Sequence, residues 1–167
     1  MTPDTVTAKK ALSIYGLAAL ALVITFLPYF WLLDAKRSII LHLLMRVPLM
    51  LLGDPHLHLD EVRFNLVTDL LAVALNPGFV SGVIVGRFCV RDWPSTFKGL
   101  IPVIAGGVAI FILYLALSIM IGGSGGDMGG LWIMAPLSTI VFWPFAWAGA
   151  IVGWKGGEHY DQRKLTR

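Results

Sequence analysis

The sequence contains few charged residues and a single cysteine. Asp, Glu, Lys and Arg make up 14% of its 167 residues, whereas soluble domains carry about 25%. Hydrophobic residues account for 57% of the chain, and its mean hydropathy is +0.78. This composition disfavours a water-soluble globule. Because Cys89 is the only cysteine, an internal disulfide and the paired-cysteine motifs of zinc and redox sites are excluded.

The positive charges do not form a patch of the kind that binds nucleic acid. The chain has 13 Lys and Arg residues, a formal net charge of +3 and a pI near 9.2. These cations lie at the ends of apolar segments, which is how membrane proteins encode their orientation. We therefore expect the lipid bilayer to be the main partner of this chain, and we expect no nucleic-acid partner.

Four apolar segments have the length needed to cross a bilayer, whose hydrocarbon core requires about 20 residues of helix. They cover residues 11–33, 64–86, 99–121 and 131–154. In the second segment, the pair Asn76-Pro77 predicts a kink or a break, because proline cannot donate the next helical hydrogen bond. The sequence thus predicts an all-α integral membrane protein, a single polytopic domain built as a bundle of four transmembrane helices.

Residues 36–52 form a shorter helical segment between the first two predicted spans. Its apolar part, residues 38–52, would reach only about 22 Å as a helix. Ser38, His42 and Arg46 lie four residues apart and make one narrow polar stripe. This pattern predicts one amphipathic helix in the membrane interface, with a re-entrant piece or a short fifth span as alternatives. It also favours a position for His42 beside the lipid headgroups over ligation of a haem-type group.

The positive charges also predict which side of the membrane each end faces. The loop 87–98 and the short tail 155–167 are basic, and basic segments tend to stay in the cytoplasm. The C-terminus is therefore predicted to be cytoplasmic. The side of Met1 stays open, because a four-span chain with an inner N-terminus and a five-span chain with an outer one place equally many Lys and Arg residues inside. Segment length favours four spans, and the small, simple chain suggests the bacterial inner membrane.

Glycines recur at intervals of four residues in the second and fourth predicted spans. The set consists of Gly78, Gly82, Gly86, Gly149 and Gly153. Glycines at this spacing let two helix backbones approach closely, which favours helix association in lipid. The pattern predicts a helix-packing surface, used either between two helices of this chain or against another subunit.

Polar residues interrupt the second predicted span. Asn65, Asp69 and Asn76 are separated by offsets that place them on one side of a continuous helix, together with Ala72. Because polar side chains are costly in lipid, this stripe is expected to face protein or a watery cavity. The functional hypothesis is a proton or cation site. The competing interpretation is simple hydration, since Asp69 lies only about 9 Å along the helix from Arg63.

The most polar stretch of the chain is GDPHLHLDE, residues 53–61. His56 and His58 have the alternate spacing that points two imidazoles the same way in an extended segment, and Asp54 could add an oxygen ligand. The pair therefore suggests a metal site. A hydrated turn leading into the next helix is the competing interpretation, because HxH occurs often by chance and GDP commonly opens a turn. The sequence assigns no cofactor.

Packing motifs outnumber reactive groups, and the loops are too short to form an independent catalytic domain. We therefore predict a small accessory or structural subunit of a larger integral-membrane complex, with other membrane subunits or a second copy as partners. Enzymatic activity is not expected, and no catalytic residue is assigned. One alternative is a small transporter or channel component that uses Asn65, Asp69 and Asn76. Another is a membrane-embedded metal-dependent enzyme that uses His56 and His58.

Overall fold

The computed structural model describes residues 8–32, 37–51, 62, 64–120 and 140–165. Within these residues every regular element is helical, so the predicted all-α class is confirmed. The elements are α1 (Ala8–Leu32), α2 (Ile39–Leu51), α3 (Leu66–Ala74), α4 (Pro77–Cys89), a 3-10 helix (Pro94–Gly99), α5 (Leu100–Met120) and α6 (Trp143–Leu165).

Two helical segments are long and apolar enough to cross a membrane. They are Ala8–Phe26 in α1 and Pro94–Leu113, which joins the 3-10 helix to the first part of α5. The pair α3 and α4 also qualifies if it is taken as one bent span, which gives three. This supports a membrane protein with two or three spans in the described part of the chain. Residues 131–139 of the fourth predicted span lie outside that part.

The predicted span 64–86 is interrupted where the sequence contains Asn76-Pro77. The helix direction bends by 51° between α3 and α4. Pro77 has no backbone N–H and is suited to the first position of a helix, so α4 begins with it. The side-chain oxygen of Asn76 accepts hydrogen bonds from the backbone N–H groups of Gly78 (2.9 Å) and Phe79 (3.2 Å), which caps the new helix. The helix break predicted from this residue pair is thus confirmed.

α4 is the central helix and packs mainly against α1 and α6. α1 runs antiparallel to α4: Tyr29, near the end of α1, contacts Asn76 at the start of α4, whereas Ala18 lies in a buried cluster with Cys89 at the other end. Antiparallel helices joined through the short α2 and α3 therefore form one side of the bundle.

α6 runs parallel to α4, and α5 runs in the opposite direction. Gly78 lies against Phe142, and two turns further along Gly86 lies against Ala150. Gly99, just before α5, also contacts Ala150, so α5 starts at the level where α4 ends. α1 and α5 consequently run one way through the bundle, whereas α4 and α6 run the other way.

The principal core lies where α1, α2, α3, α5 and α6 converge. Its buried members are Leu22, Tyr29, Leu41, Leu44, Ala72, Val103, Ile110, Phe142 and Ala146. Phe142 is the aromatic centre of this core. It makes edge-to-face contacts with Phe26, at 5.9 Å between ring centroids, and with Tyr29, at 6.4 Å.

Two segments differ from the sequence expectation. α2 lies within the predicted range 36–52, but Ser38 and His42 are buried in the chain instead of facing the headgroups. A bonding partner on α3, described below, accounts for the burial of Ser38. α6 continues to Leu165, so most of the segment 155–167 extends the last helix. Its exposed Lys155 and Glu158 form an i,i+3 ion pair of 3.3 Å, which suits a solvated helical turn.

Candidate functional site

The helix break lies beside a set of buried polar groups contributed by α1, α2 and α3. Asp69 is 6% exposed and connects α3 to the first turn of α2. Its Oδ1 accepts hydrogen bonds from the Ser38 hydroxyl at 2.6 Å and from the backbone N–H of Ile40 at 3.2 Å. Ser38 in turn caps α2, because its Oγ accepts the N–H of Leu41 at 3.1 Å. Asp69 thus binds the N-terminal end of a helix, where N–H groups lack helical partners.

Tyr29 connects α1 to both sides of the break. Its hydroxyl donates to the backbone carbonyl of Ala72 at 2.8 Å and accepts from Nδ2 of Asn76 at 3.4 Å. The Ala72 carbonyl belongs to the last turn of α3, where carbonyl groups have no helical donor. Asn76 is completely buried and has its oxygen occupied by the cap of α4. The Tyr29 hydroxyl, the Ala72 carbonyl and the Asn76 amide are therefore hydrogen-bonded within the chain.

The predicted polar stripe does not form one continuous face. Asn65 is exposed and caps α3, its side-chain oxygen accepting from the N–H groups of Val67 (3.1 Å) and Thr68 (3.3 Å). Asp69 faces α2, and Asn76 faces α1. Asn65 precedes the first residue of α3 and Asn76 lies beyond its end, so only Asp69 is within the helix and each of the three side chains bonds a different part of the chain.

His42 is the one polar side chain in the described residues with a buried atom that has no hydrogen-bond partner. The residue is 8% exposed, and the atom is its Nε2. Buried polar atoms are nearly always bonded, and leaving one unbonded costs about 1–3 kcal/mol. His42 lies one turn after Ser38, and its backbone N–H bonds to the Ser38 carbonyl. Sequence reasoning placed this imidazole beside headgroups. The burial of His42 follows from the folded arrangement, and no local feature of the sequence indicated it.

The predicted glycine surface forms a close contact between α4 and α6. The facing pairs are Gly78 with Phe142, Gly82 with Ala146 and Gly86 with Ala150. A methyl group added at Gly78 would lie 2.6 Å from the carbonyl oxygen of Phe142, and at Gly82 it would collide with the carbonyl of Ala146. The absence of side chains therefore sets the distance between the two backbones.

The glycines of α6 make equally close contacts with the backbone of α4. A methyl group added at Gly149 would collide with the carbonyl of Phe79, and one added at Gly153 would collide with the carbonyl of Val83. All five predicted glycines thus lie between two helices of the same chain. The sequence left open a contact with another subunit, and in this structure the surface is already occupied by an internal contact.

No group of three or more His, Cys, Asp or Glu side chains able to hold a metal ion occurs among the described residues. The predicted metal ligands His56, His58 and Asp54 lie in residues 52–61, outside the described part, so that hypothesis stays a prediction.

The arrangement at the break is chemically simple. It contains one acid bonded to a hydroxyl, one tyrosine bonded to a carbonyl and an amide, and one imidazole with a free nitrogen. No family model, curated protein or solved structure matches the chain.

Proposed function

We propose that this chain is a small accessory or structural subunit of a larger integral-membrane assembly. The observation that carries the proposal is the use of the intramembrane polar groups. Asp69 and Asn76, the residues best suited to a transport path, instead bond the ends of α2 and α4. Groups used as helix caps stabilise a fixed arrangement, which suits a scaffold.

The exposure of α1 supports the proposal that this helix contacts a partner in the membrane. Only 11% of the apolar span Ala8–Phe26 is buried within the chain, against 33% of Pro94–Leu113. Gly16 lies on this helix with no atom within 4 Å of an added methyl group. Glycine in the middle of a helix costs about 1 kcal/mol relative to alanine, and an open position of this kind allows the backbone of another helix to approach.

We further propose four spans with a cytoplasmic C-terminus, with α2 as an interfacial or re-entrant helix. Support comes from the opposite directions of α1 and α4, and of α5 and α6. The first residues of α1, the connection after α4 and the last turns of α6 consequently share one end. The cations at this end include Lys9, Lys10, Arg87, Arg91, Lys98 and Lys155, as the positive-inside rule requires of a cytoplasmic face.

The test is the size of the assembly in the membrane where the chain normally resides. Extracted in mild detergent, the tagged chain is expected to migrate on a native gel well above the size of the chain expressed alone in a foreign host. Gly16→Leu is expected to shift it to the smaller size. Gly156→Leu, the same change at an open position of α6, is the matched control and is expected to leave the assembly intact. Migration of the wild-type chain as a monomer with an activity of its own would contradict the proposal.

A small transporter or channel component is the second candidate function, and the unbonded Nε2 of His42 favours it. A buried imidazole one turn from the Ser38–Asp69 hydrogen bond is a suitable place for a transient proton or cation. Flux measured in liposomes with Asp69→Asn separates the two candidates. An unchanged flux removes Asp69 from any transport mechanism. The metal-enzyme hypothesis on His56 and His58 is tested by metal analysis of the purified chain.

A further inference from the structure

Three aromatic rings form a fixed cluster at the end of the bundle where α4 ends and α5 begins. The indole of Trp147 stacks on Phe97, with ring centroids 5.4 Å apart and an angle of 8° between the ring planes. Trp93 makes an edge-to-face contact with Trp147, with ring centroids 5.9 Å apart and an angle of 68° between the planes. The indole N–H of Trp147 donates to the Thr96 hydroxyl at 2.9 Å, and that hydroxyl donates to the carbonyl of Trp93 at 2.6 Å. Thr96 is fully buried. These part-buried hydrogen bonds connect Trp147 to Trp93 through Thr96, and the Phe97 ring stacks on Trp147.

The outer face of this cluster is open. Trp93 is 53% exposed and Phe97 is 56% exposed. The neighbouring cations Arg91 and Lys98 are also exposed. The acid of this loop, Asp92, accepts the backbone N–H of Ser95 at 2.8 Å, and the positive charge of Lys98 also helps to lower the pKa of Asp92. We call Trp93, Phe97, Trp147, Arg91 and Lys98 the basic aromatic shelf.

The shelf lies at the boundary between apolar and polar parts of the chain. It follows directly on the bent pair α3 and α4, and Pro94–Leu113, which contains Phe97 and Lys98, is itself apolar enough to cross a membrane. Tryptophan rings and cations at such a boundary are the side chains that occupy the headgroup layer of a bilayer. Continuity with these segments favours a lipid over a soluble ligand as the occupant.

We propose that the basic aromatic shelf binds the phosphate of an anionic phospholipid headgroup. Lys98, assisted by Arg91, supplies the positive charge that faces the phosphate, and Trp93 and Phe97 contact the glycerol and upper acyl region. The cation attracts the lipid and the rigid rings set its depth. This inference concerns the lipid contact at one end of the bundle, and it does not depend on membership in a larger assembly.

The test measures phosphatidylglycerol binding to the purified full chain in detergent micelles by native mass spectrometry, with phosphatidylcholine as the uncharged comparison. The wild-type chain is expected to retain phosphatidylglycerol in preference to phosphatidylcholine. Lys98→Gln is expected to weaken phosphatidylglycerol binding roughly fivefold, the factor that one surface cation contributes. Phe97→Ser, which removes the stacked ring, is expected to reduce binding of both lipids.

Lys155→Gln is the matched control, because Lys155 lies at the same end, is 61% exposed and sits over Trp154 instead of the shelf. Glu158 already pairs with Lys155 at 3.3 Å, so this change is expected to leave phosphatidylglycerol binding within twofold of wild type. An equal loss with Lys155→Gln would overturn the proposal, since attraction would then come from the whole basic end. Equal retention of both lipids by the wild-type chain would overturn it as well. Displacement of the lipid by free glycerol phosphate at equal concentration would show a phosphate site without lipid specificity, which also contradicts it.

Discussion

The hydroxyl of Ser38 donates a 2.6 Å hydrogen bond to the carboxyl group of Asp69, which follows it by 31 positions in the chain. This bond joins the start of α2 to the middle of α3. The same carboxyl oxygen accepts the N–H of Ile40, so one side chain satisfies two donors at a helix N-terminus. A polar group that would be costly in lipid thereby becomes the attachment point of α2.

Asp69→Leu is expected to lower the free energy of unfolding by about 2 kcal/mol or more, because it leaves the donors of Ser38 and Ile40 without their acceptor. Asp69→Asn is expected to cost less, since the amide oxygen still accepts. Denaturant titration in mixed micelles measures both. The control is Asn65→Ala, which removes an exposed cap at a cost of about 1 kcal/mol. If asparagine proves as damaging as leucine, the acid itself and not its hydrogen bonds stabilises this contact.

Gly82→Ala is expected to lower the free energy of unfolding by about 1–3 kcal/mol, the usual cost of an overpacked contact. Its added methyl group collides with the backbone carbonyl of Ala146, which cannot move without displacing α6. Gly16→Ala makes the same chemical change where nothing lies within 4 Å. That control is expected to be stabilising by up to about 1 kcal/mol, through helix propensity alone. Equal effects of the two substitutions would show that α4 and α6 are not in close contact.

His42→Leu is expected to leave the free energy of unfolding unchanged or to raise it by about 1–3 kcal/mol, because it removes a buried nitrogen that lacks a partner. Tyr29→Phe, which removes two hydrogen bonds that are made, is the contrasting variant and is expected to cost about 1–2 kcal/mol. Thermal unfolding of the purified variants compares them. A clear loss of stability in His42→Leu would mean that the imidazole holds a bound group in the native protein.

Hydrogen bonds to Ser95, through its side chain and its backbone N–H, hold the pKa of Asp92 below its ordinary value of 3.8. A lowered pKa stabilises the loop at pH values above the ordinary one, and this stabilisation is lost as the pH falls from there through the lowered value. Ser95→Ala is expected to raise the Asp92 pKa toward 3.8, measured from the carboxyl carbon chemical shift. Ser95→Thr keeps the hydroxyl and is expected to keep the low pKa. An unchanged pKa in Ser95→Ala would assign the effect to the backbone alone.

Local patterns were enough to predict the class of the protein and several of its parts. Low charge and apolar segments of bilayer length predicted a helical membrane protein, because the bilayer selects on hydrophobicity and length. Asn76-Pro77 predicted the helix break, because a missing N–H acts at its own position. The spacing of glycines such as Gly78 and Gly82 predicted a packing surface, because helical periodicity places them on one face.

The pairing of those surfaces depended on the folded arrangement. Nothing in the spacing of Ser38 and His42 indicated that they face the protein interior, and nothing near Asp69 indicated a partner on α2. By spacing alone, the glycines of α4 were equally suited to a contact with another subunit. In the folded chain they lie against Ala146 and Ala150. Periodicity specifies which residues share a face of one helix. Which faces then meet depends on how all the helices pack together, since burying one polar group or one close backbone contact requires a complementary surface from a distant part of the chain.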